Sequence, residues 1–290
     1  MKMQRHQDEH FEMEVTYNRS IELILLITLG LLLLAHLGLL GYRIKAHQIP
    51  FQAMTYVFSS LVFVHALYML GWRRALAFLA TTTIISFLFE HVGVKTGWIF
   101  GQYHYTDVLN PKLLGTVPVV IPLAYFMVLY PSYMIANLIT RGFPTGSPKD
   151  VARLLLISML TALVMTAWDL TMDPVMVYQA KAWVWEQGGP YIGIPLRNFS
   201  GWVLTTFVAG TVYRMIERWR HVPMRPFGRG HRTFIVLPIL GYATLCIGDL
   251  FVGYPLGTRA IAPFSMGIPL LAALMRLYRP RVVETVKIGD

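Results

Sequence analysis

With one cysteine, Cys246, in 290 residues, the chain can form no disulfide within itself and no cysteine metal cage, and that residue lies inside an apolar run. Charge is sparse as well. Asp, Glu, Lys and Arg make up 14% of the residues against 55% hydrophobic, a balance no soluble core can use and one that places the chain among membrane proteins. Ser/Gly-rich linkers, low-complexity tracts and internal repeats are absent, so one domain is expected. A polar tail at 1–20 precedes a single transmembrane domain at 21–277, and a basic tail follows at 278–290. The formal charge of +10 does not mark a nucleic-acid binder, because the basic residues sit in short segments between apolar runs and not in one aromatic-studded patch.

Apolar runs long enough to cross a bilayer occur at 21–42, 51–71, 75–91, 117–139, 151–172, 201–215, 234–252 and 261–277. The sequence therefore predicts an all-α, polytopic membrane bundle of about eight helices embedded in the lipid bilayer, seven being the alternative. The sixth and last runs carry the weakest signals. Ile21–Tyr42 is too long for a signal-peptide core and is read as a retained first helix. Pro50 suits the first turn of the second helix, and Pro118, Pro122 and Pro131 point to a kinked fourth. In an eight-helix arrangement 18 Lys and Arg fall on the side of the termini and 7 on the other, which makes both termini cytoplasmic.

The same arrangement sorts the acids. Glu90 lies at the end of the third run, Asp169 and Asp173 at the end of the fifth, and Asp249 near the end of the seventh. All three runs point outward, so these carboxylates are expected at the non-cytoplasmic leaflet. An ionisable group at membrane depth is a functional candidate that needs a partner. Asp169 and Asp173 are four residues apart and share a helix face, which lets them aim at one space. Glu90 and Asp249 are read equally well as site groups or as hydrated helix-end groups. Two loops, 93–116 and 174–200, face the same leaflet and are rich in Trp, Tyr and Gly. They hold Trp98, Phe100, Tyr103 and Tyr105 in one, and Trp183, Trp185 and Tyr191 in the other. Such rings serve as an interfacial belt or as a cation-stabilising lining, and the glycines let both loops fold back as re-entrant lids.

The segments EHVGVKTGWIFGQYHY and LLGTVPVVIPLAY, followed by WDLTMDPVMVYQAKAWVWEQGGPYIGIPLRNFSGW, resemble the bacterial and archaeal carotenoid hydratases from Glu90 to Trp202. The resemblance implies addition of water across the terminal double bond of an acyclic carotenoid of the lycopene, γ-carotene or bisanhydrobacterioruberin type, giving a tertiary alcohol without a cofactor or metal. Alkene chemistry then requires an acid, a tertiary cation and a water molecule, the acid being a carboxyl kept protonated by an apolar site. Asp169 or Asp173 is expected to be that acid, with the other member charged, and Glu90 is the alternative. Tyr103, Tyr105, Trp185, Tyr191, Asn198 and Trp98 are expected to shape the pocket, and Tyr103, Tyr105, Trp185 and Asn198 also to position water, with His91, Glu186 and Asp249 behind them.

Other readings differ by chemistry. A membrane lycopene cyclase begins with the same protonation but yields an isomeric hydrocarbon. Asp169 and Asp173 have the spacing of a prenyltransferase motif, yet only isolated Asp249 is left to form the second metal-binding cluster. The nine histidines are too scattered for a di-iron centre, and the last two runs lack the lysine of a retinal protein. A transporter or pigment-binding protein would show paired broken helices, which the pattern lacks.

Overall fold

The computed structural model describes residues 19–219 and 232–278, so the tails expected at 1–20 and 278–290 lie almost wholly outside it. Seven helices follow in order: α1 Arg19–Ala46, α2 Phe51–Leu70, α3 Trp72–Thr96, α4 Val120–Arg141, α5 Val151–Tyr178, α6 Leu196–Trp219 and α7 Arg232–Val252. An eighth pass is broken into a 3-10 turn at Leu256–Ala260, α8 Ile261–Ser265 and α9 Gly267–Tyr278. Seven of these eight passes are long and apolar enough to cross a membrane. The exception is α6, which carries Arg197, Arg214, Glu217 and Arg218 yet packs along α5 and α3. Two of these charges are met inside the protein: Arg214 donates to Asn137 Oδ1 at 2.9 Å and to Thr161 Oγ1 at 3.0 Å, and its guanidinium lies 4.4 Å from the centre of the Tyr133 ring. Tyr133 in turn donates to Glu217 at 2.8 Å.

Packing follows from apolar distribution. The α4 helix is buried over most of its length and touches α2, α3, α5, α7 and α9, which makes it the axis of the bundle. The α1 helix packs on α2 and α7 and leaves Ile24, Leu31 and Leu34 exposed, as a lipid-facing helix must. Helix ends are set locally. Gly71, at φ +77°, is the one residue between α2 and α3, a conformation that a side chain would strain. Gly97 closes α3 in the left-handed region, its N–H bonding Gly93 O at 2.8 Å, and the Asp150 side chain caps α5 at Arg153 N.

Several boundaries differ from the sequence reading. The α3 helix continues to Thr96 and α5 to Tyr178, past Pro174, so Glu90 and Asp173 lie within their helices and not at their ends. Arg43, just beyond the first apolar run at 21–42, lies in the last turn of α1 and is buried against Asp249 of α7 at 2.6 Å. The two aromatic loops meet as strands, which periodicity did not foresee: β1 Tyr103–Tyr105 pairs antiparallel with β4 Trp183–Trp185. A second short pair, β2 Lys112–Leu113 with β3 Val117–Pro118, leads into α4. Phe100 anchors the first loop. Its ring fits where a Cβ on Gly93 of α3 or Gly201 of α6 would come within 2.5 Å, so those glycines create its seat.

Candidate active site

The β1–β4 ribbon covers a cavity at one end of the bundle. Alternation along a strand sends residues i and i+2 to one face, and the register sets Tyr103 opposite Trp185 and Tyr105 opposite Trp183, all four buried. These rings line the cavity with Glu90, Asp173, Asn198, Tyr125, Trp202, Phe100, Phe51, Ile121, Ala124 and Met172. The space, about 30 Å³, has room for one or two water molecules.

Glu90 projects from α3 into three phenols. Tyr105 donates to Oε2 at 2.8 Å, Tyr103 donates to the same oxygen, and Tyr125 of α4 donates to Oε1 at 2.8 Å. Burial, and then the nearby Glu90 charge, hold the Tyr103 and Tyr105 hydroxyls well above the usual phenol range, so both remain donors at any working pH. Opposite stands the α5 pair. The Asn198 side-chain amide at the start of α6 donates to Asp169 Oδ2 at 2.9 Å and to Asp173 Oδ2 at 2.7 Å, and Trp183 Nε1 donates to Asp173 Oδ1 at 2.7 Å. Asp169 Oδ1 is buried with no donor, and Asp173, not Asp169, faces the cavity. All bonded partners of these three carboxyls are uncharged.

Of the expected residues, the fold brings together Glu90, Asp169, Asp173, Tyr103, Tyr105, Trp185 and Asn198. Tyr191 lies behind the α5 pair, its hydroxyl donating to Leu170 O at 2.6 Å and its ring packed on Phe199. Burial first, and then the Asp169 and Asp173 charges, push this phenol up to about 12. Four residues stand away from the cavity. Trp98 is 77% exposed, and His91 bonds Thr116 Oγ1 at 2.8 Å on another side of α3. Glu186 pairs with His104 on the outer face of the ribbon. Asp249 is held by Arg43 and by Thr171, whose hydroxyl donates at 2.6 Å from a different face of α5. Sequence reasoning missed Tyr125, because a tyrosine in a buried apolar helix gives no local sign of its partner.

Among the described residues no group of three or more His, Cys, Asp and Glu has the arrangement of a metal site. A cluster of acids with neutral donors and aromatic faces is suited to holding a proton and stabilising a cation beside it.

Comparison with known proteins gives this geometry a context. A bisanhydrobacterioruberin hydratase of Haloarcula japonica is 34% identical over 137 residues, a match covering 47% of this chain and 44% of that protein. More than half of that relative's length is therefore unmatched. No solved structure matches. The family described as carotenoid biosynthesis protein matches residues 51–273, which include every helix that contributes to the cavity, and the chain belongs to that family.

Proposed function

We propose that the protein is a carotenoid hydratase that adds water to the terminal double bond of an acyclic carotenoid end. The observation that carries this reading is the buried set Glu90, Asp169 and Asp173, three carboxyls with only neutral partners around an aromatic cavity. Three charges cannot be sustained together in such a place, so the cluster retains protons. The named activity of the archaeal relative supports the same reaction class.

The α5 pair shares its proton, and Asp173, on the cavity wall, delivers it. The carboxyl O–H breaks, the terminal π bond opens, and a C–H bond forms at the less substituted carbon. Positive charge then develops on the tertiary carbon. Glu90, oriented by three phenol donors, and the faces of the ribbon aromatics stabilise that charge. Water closes its C–O bond to the cation and returns one proton to the Asp173 carboxylate, so the sum is addition of H and OH with the acid restored. No redox cofactor takes part in this sequence.

The surplus of Lys and Arg on the side of the termini supports cytoplasmic termini, with the cavity toward the opposite leaflet. Expression in a lycopene-accumulating bacterial host, with chromatography and mass analysis of the pigments, tests the activity. New pigments that are more polar and one or two waters heavier are expected. An isomeric hydrocarbon would replace this reading by cyclisation, and unchanged pigments would leave binding or transport.

A further inference from the structure

Trp185 lines the cavity and is nine-tenths buried, yet its indole N–H makes no hydrogen bond of ordinary geometry with the protein. The donors of its neighbours Tyr103, Tyr105, Tyr125, Trp183 and Asn198 are all engaged with carboxylates. The contrast with Trp183 is informative, since both indoles leave the same face of β4. Trp183 bonds Asp173 directly at 2.7 Å, whereas the Trp185 indole, on the same cavity wall as Asp173, makes no hydrogen bond of ordinary geometry. A buried donor without an acceptor is destabilising, because it has lost its bond to water and gained none in return. A buried N–H and a carboxyl that line one cavity without an ordinary hydrogen bond between them can both bond one water molecule, and this cavity has room for it.

We propose that Trp185 Nε1 and Asp173 hold between them the water molecule that adds to the substrate cation, which makes Trp185 a positioning residue for the nucleophile. The inference rests on the hydratase reading. The indole N–H occupies one lone pair of the water oxygen and leaves the other free to form the C–O bond. One water O–H points to Asp173, which accepts that proton once it has given its own to the alkene. Trp185 exchanges no proton itself. Loss of its N–H leaves protonation of the alkene intact and slows capture of the cation. The cation then has time to return a proton to Asp173 and revert to the alkene.

The experiment is conversion of the carotenoid in D₂O by membrane-inserted protein, reading alcohol formed and deuterium in the recovered substrate. Wild type is expected to give deuterated alcohol with little label in unreacted substrate. Trp185→Phe is expected to lower alcohol about tenfold or more, the effect of one lost hydrogen bond to the transition state, while recovered substrate gains deuterium. Trp183→Phe, which strips a direct donor from Asp173, is expected to lower alcohol and exchange together. Trp185→His keeps a ring N–H and should restore alcohol relative to exchange, a second reading of the same ratio that does not depend on the phenylalanine variant folding. Wild-type alcohol output from Trp185→Phe overturns the assignment, as does a joint loss of alcohol and exchange in that variant. A wild-type protein that forms no alcohol overturns the hydratase reading itself and this inference with it.

Discussion

The Tyr125 hydroxyl donates to Glu90 Oε1 at 2.8 Å and ties α4 to α3, while the same ring lies stacked on Trp202 of α6, centroids 4.3 Å apart and planes 7° from parallel. One side chain thus fixes a carboxylate and joins three helices. Tyr125→Phe keeps the stacking and removes the O–H. It is expected to cost about 1–3 kcal/mol of stability and to lower hydration roughly a hundredfold, as loss of one preorganised donor does elsewhere. Thermal unfolding in detergent and pigment conversion per inserted molecule measure the two effects. Unchanged conversion would show that Glu90 does not face the developing charge.

The α5 pair makes a sharper prediction. Asp169→Asn keeps size and the acceptor for Asn198, whereas Asp173→Asn keeps size but only one of its two acceptors; neither variant has an acidic proton, and each is expected to lower conversion per inserted molecule about a hundredfold or more. Full conversion by both variants would refute the acid assignment.

Asp249 is expected to behave as a support. Arg43→Met leaves its buried carboxylate without a cation, which should destabilise the protein by about 3–5 kcal/mol. Replacing both residues, as Arg43→Met with Asp249→Leu, should recover most of that loss. Conversion per folded molecule is expected to stay at the wild-type level in the double variant, because neither residue lines the cavity. A selective loss of turnover there would return Asp249 to the site.

Two glycines of α6 should respond with opposite sign. A Cβ at Gly201 would overlap Phe100 and the Ile99 carbonyl, so Gly201→Ala is expected to cost about 1–3 kcal/mol and to disturb the ribbon. At Gly210 a Cβ meets nothing within 4 Å. Gly210→Ala should therefore stabilise the helix by about 0.5–1 kcal/mol. Unfolding midpoints of the two variants give the comparison directly.

Alkaline pH provides a test of the Tyr191 environment. Its phenol is raised from 10.0 to about 12 by burial and then by the Asp169 and Asp173 charges. Below pH 10 the folded and unfolded chains both hold this proton and its contribution is complete. From pH 10 to 12 only the unfolded chain releases it, so stability falls across that window. Tyr191→Phe should flatten this part of the stability profile, and an unaltered profile would place the ring in a different environment.

The sequence by itself determined the membrane class, a helical bundle of seven or eight passes, and the gathering of Glu90, Asp169 and Asp173 at one end of it. Those features follow from runs of apolar residues and from spacings within one helix, which need no knowledge of neighbours. It also singled out Asp169 and Asp173, since residues four apart share a face in any helix. Tertiary structure alone decided the partners. That Asn198 bridges the pair, that Tyr125 reaches Glu90, that Asp249 is committed to Arg43, and that two loops close as a strand ribbon all depend on contacts between segments distant along the chain. Packing and hydrogen bonding across helices select those contacts, and local periodicity carries no record of them.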